Sequence, residues 1–426
     1  MKIRHFLLYG TLDPKFGGPT YSIPIQCIGT QREGAQMSFV VHESSKPWED
    51  KLIEEGVEMI NIPDPKSKFE HSFAIPLKKY LSGCKDLPNV IHFHGVWMPC
   101  NLYVAKYGLR HNIPYVINPR GDTEIARINY DKIKKIKKQI AWHLYGKKIV
   151  DNAACIIATS EQERDSIRTL GSKVPVAIIP NGIELDAFPK EVVHNHGEKR
   201  VLLFLSRVNP IKGIEYLIDA WGKLDTNLTN QWELHIAGNS DPKDYIDTLK
   251  AKVDSLGLSE SIKFIGPVTG EAKMRKYQDS NLFILPTLNE NFGNVVAEAM
   301  MCECPVITTK NAPWSCLNED KCGWWIDLSV ENLVNTLIEA MSLTDEERHK
   351  LGQMSRKSIV NRYSAESVAK KTYRLYEWVL GKCGKGAPDK PCGGAVQMLT
   401  QNCCQTIHEE SYVLDSFYLC TEAFDL

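Results

Sequence analysis

The sequence lacks a long apolar run, since none of its hydrophobic stretches approaches the roughly 18 residues that a membrane-spanning helix needs. We also find no sign of a secretory leader. The first stretch, "MKIRHFLLYG", contains charged side chains and no small-residue cleavage site, so it is typical of a first β-strand. We therefore expect a globular protein of the cytoplasm.

A zinc or disulfide spacing of cysteines is also missing, although the chain has 13 cysteines. The nearest approach to a cluster has gaps of one, eleven and five residues, which do not repeat the paired spacing of zinc ligands; it is formed by Cys302, Cys304, Cys316 and Cys322. Several cysteines lie in apolar contexts such as "NAACIIATS", where a reduced thiol packs as a small apolar group. The sequence predicts free thiols.

The chain carries little net charge, −1 at neutral pH, but the charge is unevenly placed. Residues 1–190 hold 26 Lys and Arg against 20 Asp and Glu, a balance of +6, while the remainder holds 25 against 32, a balance of −7. A basic first half favours an anionic partner such as a phosphorylated substrate or a lipid surface. We expect no nucleic-acid partner.

Short β-branched runs alternate with amphipathic helical segments. The first half contains "MSFVVH", "NVIHFHG", "YVINPRG" and "CIIATS", and after a polar stretch the alternation restarts with "VLLFLSRV", "ELHIAG" and "LFILPT". Continuous apolar strands between helices predict parallel sheets covered on both faces. We expect an α/β protein with two doubly wound, Rossmann-like domains facing each other across a cleft, where ligands bind beyond the carboxyl ends of the strands.

The domain boundaries follow from the same alternation. We expect an N-terminal domain over residues 1–190 and a C-terminal domain over residues 191–381, whose last helix is able to pack back on the first domain. Residues 382–426 are rich in Gly, Pro and Cys at first and have no sustained periodicity, so we interpret them as a tail.

The stretch "LNENFGNVVAEAM" sets Glu290 and Glu298 eight positions apart around Gly293, and we expect a helix to begin near Gly293 or Asn294. Amides at a helix start attract phosphate, a glycine lets a ligand approach the main chain, and carboxylates accept hydrogen bonds from hydroxyl pairs. This combination favours a nucleotide sugar, which has hydroxyls at both ends and phosphate in the middle. The alternative is that both glutamates are surface charges.

Two further loops suit an anionic ligand. "SRVNPIKG" places Arg207 and Lys212 after a strand, as two cations converging on a diphosphate require. "KFGGPTYS" places Gly17 and Gly18 between the first strand and the first helix, where backbone can contact phosphate. Neither loop contains G-x-G-x-x-G or G-x-x-x-x-G-K-[ST], which excludes those two kinds of nucleotide loop there.

With these motifs in this order, the chain resembles the retaining glycosyltransferases of family four, the group 1 glycosyltransferases of GT-B fold. The resemblance covers roughly residues 1–380 and depends on "FGGPTYS", "HFHGVW", "INPRGD", "ATSEQE", "IPNGIELDAF", "SRVNPIKG", "FIGPV" and "ENFGNVVAEAM". Within the family, "HGVW", "PRG" and "TSEQE" resemble the branch that builds bacterial surface polysaccharides and lipid-linked oligosaccharides.

The resemblance implies a role for each matching residue. Glu290 would contact the hydroxyls of the donor sugar and Glu298 those of the ribose, while Arg207 and Lys212 would neutralise the diphosphate and stabilise the departing nucleotide. Further contacts to the donor phosphates would come from backbone, at Gly17, Gly18, Gly293, Asn294 and Val295.

The resemblance also implies a mechanism. Retention without an enzymic nucleophile implies, for this family, attack on the face that the leaving group vacates, with the leaving phosphate taking the acceptor proton. No carboxylate pair, metal or other cofactor is then expected, because Arg207 and Lys212 take the place of a metal ion. The co-substrate would be a UDP- or GDP-linked sugar.

Two positions depart from the family pattern. Many relatives have a histidine after the strand "YVINPRG", where this chain has Arg120, which would bind an anion or orient the acceptor because it cannot accept a proton. His94 in "HFHGVW" is then the remaining candidate for a polar contact in the cleft, with a structural histidine as the alternative. Glu303 replaces a glycine that relatives usually have after a helix, so we expect mild backbone strain there.

The segment "DKIKKIKKQIAWHLYGKK", residues 131–148, predicts a basic amphipathic helix. Its isoleucines and Leu144 form one stripe, with lysines beside or opposite. Such a helix either docks on an anionic membrane or packs on the core with a solvated lysine face.

These observations together predict a metal-independent, retaining hexosyltransferase. It would move a sugar from a nucleotide-diphosphate sugar to a saccharide or lipid-linked saccharide acceptor, in the assembly of a bacterial capsule, O-antigen, lipopolysaccharide or exopolysaccharide at the inner face of the membrane. The rival hypotheses are a noncatalytic subunit that binds sugar nucleotides and a nucleotide-sugar epimerase of the same fold.

Overall fold

A computed structural model of the chain describes residues 1–8, 18–42, 46–123, 132–194 and 197–381. These residues form two compact units. The first comprises Met1–Gly182 together with the described residues from Ala365 onward, and the second comprises Ile183–Ser364. The chain leaves the first unit at residue 182, completes the second and returns with its last helix.

The first unit is built on a parallel sheet of seven strands. They are β1 Lys2–Leu7, β2 Gln36–Val41, β3 Glu58–Asn61, β4 Val90–His94, β5 Tyr115–Asn118, β6 Cys155–Ala158 and β7 Val176–Ile178. Their order across the sheet is β3-β2-β1-β4-β5-β6-β7. β1 therefore lies between β2 and β4, and the direction of winding reverses between β1 and β4.

Helices follow most strands of this unit. They are α1 Pro19–Arg32, α2 Lys46–Glu54, α3 Lys68–Ser72, α4 Ile75–Gly83, α5 Pro99–Arg110, α6 Lys132–Ala141, α7 Lys147–Asp151 and α8 Glu161–Thr169. A π-helical turn over Trp142–Gly146 joins α6 to α7. The segment predicted as a basic helix is therefore helical from residue 132 to residue 151.

The second unit has a parallel sheet of six strands. They are β8 Arg200–Leu205, β9 Trp232–Ala237, β10 Ile262–Gly266, β11 Leu282–Leu285, β12 Val306–Thr309 and β13 Gly323–Ile326. The order β10-β9-β8-β11-β12-β13 is the Rossmann order 3-2-1-4-5-6. Winding reverses between β8 and β11, which is where such sheets bind ligands.

The helices of the second unit cover both faces of this sheet. They are α9 Ile214–Trp221, α10 Thr226–Thr229, α11 Tyr245–Ser255, α12 Gly270–Gln278, α13 Asn294–Met301, α14 Cys316–Glu319, α15 Val330–Ser342 and α16 Asp345–Tyr363. The order of strands and helices confirms the predicted pair of doubly wound α/β sheets.

Apolar sequence on both faces of the strands explains why each sheet lies inside its unit. Every residue of β4, β5, β6 and β11 is buried. The covering helices contribute one apolar stripe each, as α9 does with Ile214, Leu217, Ile218 and Trp221. Every helix among the described residues is too short or too polar to cross a bilayer.

The last helix, α17 Ala365–Val379, packs against α1. A Cβ atom at Gly29 of α1 would lie only 2.8 Å from Cβ of Ala369, so the two helices approach closely because both residues are small. α17 also brings Tyr376 to the central strands of the first sheet, where its hydroxyl contacts His5 of β1 and His92 of β4.

The cysteines of the described residues are free thiols, as the sequence predicts. Seven are buried and Cys84 is partly exposed; the buried ones are Cys27, Cys100, Cys155, Cys302, Cys304, Cys316 and Cys322. Burial raises the pKa of these thiols, to about 12 for Cys100 and Cys155. They therefore pack as neutral apolar groups. The tail over residues 382–426 lies outside the described residues.

Candidate functional site

The candidate site lies in the second unit, at the carboxyl ends of β8 and β11. The loop after β8 contains a short 3₁₀ turn, Pro210–Lys212, and the loop after β11 runs to the start of α13. Since β8 and β11 are neighbours but not consecutive strands, their following helices lie on opposite faces and a crevice opens between the two loops.

The two loops are fastened to each other at Gly213. Its φ of 69° is left-handed, and a Cβ atom at this position would overlap the carbonyl oxygen of Pro286 in the other loop. The carbonyl oxygen of Ile211 accepts hydrogen bonds from Thr287 Oγ1 at 3.0 Å and from the Leu288 amide at 2.8 Å. Glycine at this position therefore permits the close approach of the loops.

This approach brings Lys212 and Glu290 together as an ion pair between Nζ and Oε2. Their side chains are only 6% and 12% exposed. The Glu290 amide donates to the Asn311 carbonyl oxygen at 3.0 Å, which fixes the loop that carries the carboxylate. The site thus holds two opposite charges with little solvent around them, where electrostatic interactions are strong.

Gly293 makes room for this carboxylate. Its φ is 79°, and a Cβ atom there would lie 3.0 Å from Glu290 Cγ. α13 begins at Asn294, which confirms the predicted helix start. Gly293 is the N-cap and has no side chain that could cap the amides of the first turn. Amides at a helix start bind anions. The Phe292 carbonyl oxygen accepts from Trp314 Nε1 at 2.6 Å, so a buried indole supports the loop.

Glu298 lies in the second turn of α13 and has two partners on α12 that sequence reasoning missed. Lys273 Nζ lies 2.5 Å from Glu298 Oε2, and the Tyr277 hydroxyl donates to the same oxygen at 2.8 Å. Burial and the neighbouring carboxylate raise the pKa of Tyr277 well above 10, so the hydroxyl remains a donor. Lys273 and Tyr277 are four residues apart and so lie on one helix face. This spacing was the signal in the sequence from which their shared position could have been predicted.

Arg207 and Lys212 have different partners, although the sequence suggests that they converge. The Arg207 side chain is 63% exposed, and its Nη1 lies 3.3 Å from Oδ2 of Asp241 in the loop after β9. The carbonyl oxygen of Asp241 accepts from Asn209 Nδ2 at 2.5 Å. The β9 loop thus supplies a partner for Arg207 that the sequence pattern did not indicate.

In the first unit, His94 ends β4 and Arg120 follows β5, the neighbouring strand. His94 is buried, and its Nε2 lies 3.3 Å from His5 Nδ1. Burial lowers the pKa of His94 well below 6.5, and the neighbouring His92 ring and the charge of Arg120 lower it further. His94 is therefore neutral at physiological pH.

Arg120 is held by three neutral oxygens and has left-handed backbone, with φ of 56°. Its guanidinium donates to Ser22 Oγ at 2.8 Å, to Asn181 Oδ1 at 2.6 Å and to Gln26 Oε1 at 3.0 Å. Burial lowers the pKa of Arg120 to about 10, so it remains a cation at neutral pH. Gly18 is the N-cap of α1, and Gly17 lies outside the described residues.

Two acidic residues that the sequence interpretation left without a role shape the turn around Arg120. Glu163 accepts from the Gly121 amide at 2.5 Å and from the Thr159 amide at 2.7 Å, and burial raises its pKa. Asp122 Oδ2 accepts from the Val96 amide at 3.1 Å. Glu163 is the third residue of its helix in "TSEQE". A glutamate at that position is a known helix-capping signal, from which its contacts to backbone amides could have been predicted.

Comparison with known families matches nearly all of this framework. Residues 26–187 match the model described as Glycosyltransferase Family 4, and residues 188–358 match the model described as Glycosyl transferases group 1. The chain belongs to the group 1, family 4 glycosyltransferases. The predicted family is therefore confirmed.

Individual relatives match shorter stretches. The chain is 25% identical over 189 residues to an uncharacterised glycosyltransferase of Methanocaldococcus jannaschii. The matched stretch covers 44% of this chain and 47% of the relative. The chain is 28% identical over 169 residues to the D-inositol 3-phosphate glycosyltransferase of Mycobacterium sp. (strain KMS), covering 37% of this chain and 38% of the relative. The chain thus spans less than half the length of these curated relatives.

Solved structures match over most of the chain. Sucrose-phosphate synthase of Thermosynechococcus elongatus has a TM-score of 0.69 at 19% identity, covering 90% of this chain and 100% of that one. HepE of Anabaena, solved in complex with UDP and glucose, has a TM-score of 0.66 at 16% identity, covering 89% and 100%. These likenesses concern the fold, and they confirm the GT-B class.

Proposed function

We propose that the protein is a retaining, metal-independent hexosyltransferase that uses a UDP- or GDP-linked sugar. Its acceptor is a saccharide or a lipid-linked saccharide of a bacterial cell-surface polysaccharide. The observation that carries this proposal is the shielded Lys212–Glu290 pair beside the start of α13, at the switch point of a Rossmann sheet.

Lys212 is the principal cation for the donor diphosphate. A diphosphate at the first-turn amides of α13 gives Lys212 a second anionic partner in surroundings from which water is largely displaced. As negative charge develops on the departing nucleotide, that contact strengthens more than it does in the ground state, which lowers the barrier. The same contact removes the need for a metal ion.

Arg207 is the second cation. It pairs with Asp241 at 3.3 Å, and both side chains are mostly exposed, at 63% and 60%. Exposed ion pairs contribute little free energy, about 0 to 1 kcal/mol. Exchanging Asp241 for a donor phosphate therefore costs little free energy, and the exposed Arg207 completes the diphosphate site when the donor binds.

The two glutamates bind hydroxyl groups at opposite ends of the donor. Glu290 accepts from the sugar while Lys212 holds its charge in place. Glu298 uses Oε2 for Lys273 and Tyr277, and its other oxygen, Oε1, accepts from the ribose hydroxyls. Support for such a donor comes from HepE of Anabaena, which was solved with UDP and glucose.

The acceptor binds to the first unit. Neutral His94 is a hydrogen-bonding partner for an acceptor hydroxyl, and Arg120 keeps a positive charge near it through its contacts to α1. The positive balance of residues 1–190 suits an acceptor that carries phosphate.

α6 is the candidate for peripheral contact with an anionic membrane. Ile136 and Ile140 are 56% and 48% exposed, four residues apart on one face of the helix. Lys138 Nζ lies 5.2 Å from the ring centre of the buried Trp97. Exposed isoleucines next to lysines are the side chains that an interfacial helix inserts and pairs with lipid headgroups.

The proposed function is tested by screening nucleotide sugars for acceptor-dependent release of the free nucleotide. We expect release with one class of donor, and a loss of at least about 100-fold in Lys212→Met and Glu290→Gln, the size typical of lost transition-state electrostatics. Arg207→Ala loses less, and Arg275→Ala serves as the control, because Arg275 is also an exposed arginine in an ion pair, 74% exposed and paired with Glu271.

The screen also separates the rival functions. Donor binding without turnover on any acceptor indicates a noncatalytic subunit. Interconversion of the donor sugar without nucleotide release indicates an epimerase. Either result contradicts the proposal.

A further inference from the structure

We infer that His194, Glu303 and His349 form a binding site for a zinc ion in the second unit, separate from the donor site. The three residues come from distant segments: the chain before β8, the turn after α13 and the first half of α16. One nitrogen or oxygen atom from each lies within 4.8 Å of the other two. Two imidazoles and a carboxylate are a ligand set that zinc accepts, with a water completing the tetrahedron.

The two histidines are oriented by contacts on their other ring nitrogens. His194 Nδ1 lies 2.9 Å from the Gln278 carbonyl oxygen, so this nitrogen carries the proton and Nε2 carries the lone pair of the neutral ring. His349 Nε2 lies 3.0 Å from the side-chain amide of Gln353. A half-turn of that amide lets its oxygen accept from Nε2 and leaves the lone pair on Nδ1. Metal-binding histidines are usually positioned in this way.

Glu303 is the least expected member of the set. Its φ is 55°, in the left-handed region after a helix where glycine is the usual residue, so the chain retains backbone strain there. The position is fixed from outside, because Gly352 of α16 packs directly on the Glu303 carbonyl group. Its Oε1 lies 3.6 Å from Arg356 Nη1, too far for a hydrogen bond but close enough for an ion pair. A ligand role gives the carboxylate at this strained position a second cationic partner beside Arg356.

The surroundings have room for a hydrated cation. All three residues line a cavity of about 210 Å³. This volume is enough for several water molecules. Arg348 also lines the cavity, but its charge is balanced by Asp345, which Arg200 contacts as well. Asp345 is therefore engaged, and three ligands remain.

Binding requires only small side-chain movements. Ligand atoms in a tetrahedral zinc site are separated by roughly 3.3 Å, given metal-ligand distances near 2.1 Å. The three atoms must therefore close by about 1.5 Å at most from their present separations, which side-chain rotations supply. An ion bound here fastens the segment before β8 to the end of α13.

Three buried histidines in the first unit are a weaker candidate for a metal site. His5, His92 and His94 are also mutually close, but the Tyr376 hydroxyl occupies His5 Nε2 at 3.0 Å and His92 Nδ1 at 2.6 Å. Arg120 adds a positive charge nearby, and this cluster contains no carboxylate that offsets it, whereas the other cluster contains Glu303. We therefore expect zinc at His194, Glu303 and His349.

The test uses the full chain with its thiols reduced and zinc chloride as the probe. Isothermal titration compares the wild type with His349→Ala and Glu303→Gln, and with His111→Ala as a control at another exposed histidine. The proposal predicts that His349→Ala and Glu303→Gln each bind one zinc equivalent fewer than the wild type, whereas His111→Ala matches the wild type. Equal stoichiometry in all four proteins overturns it.

A second variant separates ligand loss from damage to the fold. Glu303→Gly removes both the carboxylate and the strain, so its metal-free unfolding midpoint should equal or exceed that of the wild type while the rise caused by excess zinc disappears. A zinc-induced rise that survives in Glu303→Gly contradicts the site. Cobalt in place of zinc identifies the ligands: absorption bands of nitrogen and oxygen coordination support it, and thiolate charge-transfer bands alone refute it.

Discussion

Lys212 and Glu290 are 78 residues apart in the sequence, and they meet as a shielded ion pair where β8 and β11 part. The sequence around each residue does not determine this pairing. The pair exists because the Rossmann strand order makes β8 and β11 neighbours and because Gly213 lets the two loops touch. A positive charge with little solvent around it is thereby placed beside a helix start.

The first prediction concerns the two halves of this pair. Lys212→Met removes the cation that is paired with the buried Glu290 carboxylate and should lower the free energy of unfolding by about 3 kcal/mol. Lys212→Met combined with Glu290→Gln should recover most of that loss, because both charges of the pair are then removed. Both proteins should lose transfer activity. Urea unfolding and nucleotide release measure the two effects, and a double variant with wild-type turnover would contradict the assignment.

The second prediction concerns the glycine that joins the loops. Gly213 and Gly257 have the same φ, 69°, but a side chain at Gly257 meets no atom within 4 Å, whereas one at Gly213 meets Pro286. Gly257→Ala should therefore lower the free energy of unfolding by about 1 kcal/mol, which is the effect of left-handed backbone alone. Gly213→Ala should cost clearly more and also depress transfer.

Equal effects of the two substitutions on stability would show that the loops do not depend on the close approach. Equal effects on transfer would show that Gly213 has no special part in the site. Thermal unfolding and steady-state rates on the same preparations decide both points.

Some features of the site could be predicted from the sequence because they are local. Gly293 before an apolar helical run predicted the start of α13 at Asn294, and continuous apolar strands predicted the buried sheets. In both cases the residue and its immediate neighbours determine the conformation. The left-handed backbone of Glu303 was indicated by the family resemblance, because relatives usually have glycine after that helix.

The partners of the charged residues could not be predicted, because they depend on contacts between distant segments. Arg207 meets Asp241 through the β9 loop, and Glu298 meets Lys273 on α12, although neither approach is encoded near the residue itself. Arg120 has left-handed backbone that no rule for a non-glycine residue predicts. Strand order and side-chain packing decide these contacts.

The third prediction concerns pH and the buried histidines of the first unit. Burial lowers the pKa of His5 to about 3, and His92, Tyr376, His94 and Arg120 surround its ring. The unfolded chain, with a histidine pKa near 6.5, binds a proton that the folded chain excludes. Stability is therefore present above about pH 6.5 and is lost as the pH falls.

Between pH 7 and pH 5.5 this single histidine should account for about 1 kcal/mol of lost stability. His5→Leu should flatten the dependence by that amount, while the exposed His111→Ala leaves it unchanged. Unfolding free energies at both pH values give the slope. The same slope in His5→Leu and the wild type would show that the protonation of His5 does not matter.

The fourth prediction concerns α6 and membranes. Replacing Ile136 and Ile140 by glutamine should weaken sedimentation with anionic vesicles several-fold and leave stability within about 0.5 kcal/mol, because both side chains are exposed. Val193, which is 72% exposed in the second unit, provides the matched control as Val193→Gln. Unchanged vesicle binding by the α6 variant would remove this helix as the anchor.

We propose above all that the donor diphosphate binds to Lys212 at the start of α13. A crystal structure of the protein with UDP or GDP tests it most directly. We expect a phosphate oxygen within hydrogen-bond distance of Lys212 Nζ and of the first-turn amides of α13. A nucleotide bound away from Lys212, with the Lys212–Glu290 pair untouched, would contradict it.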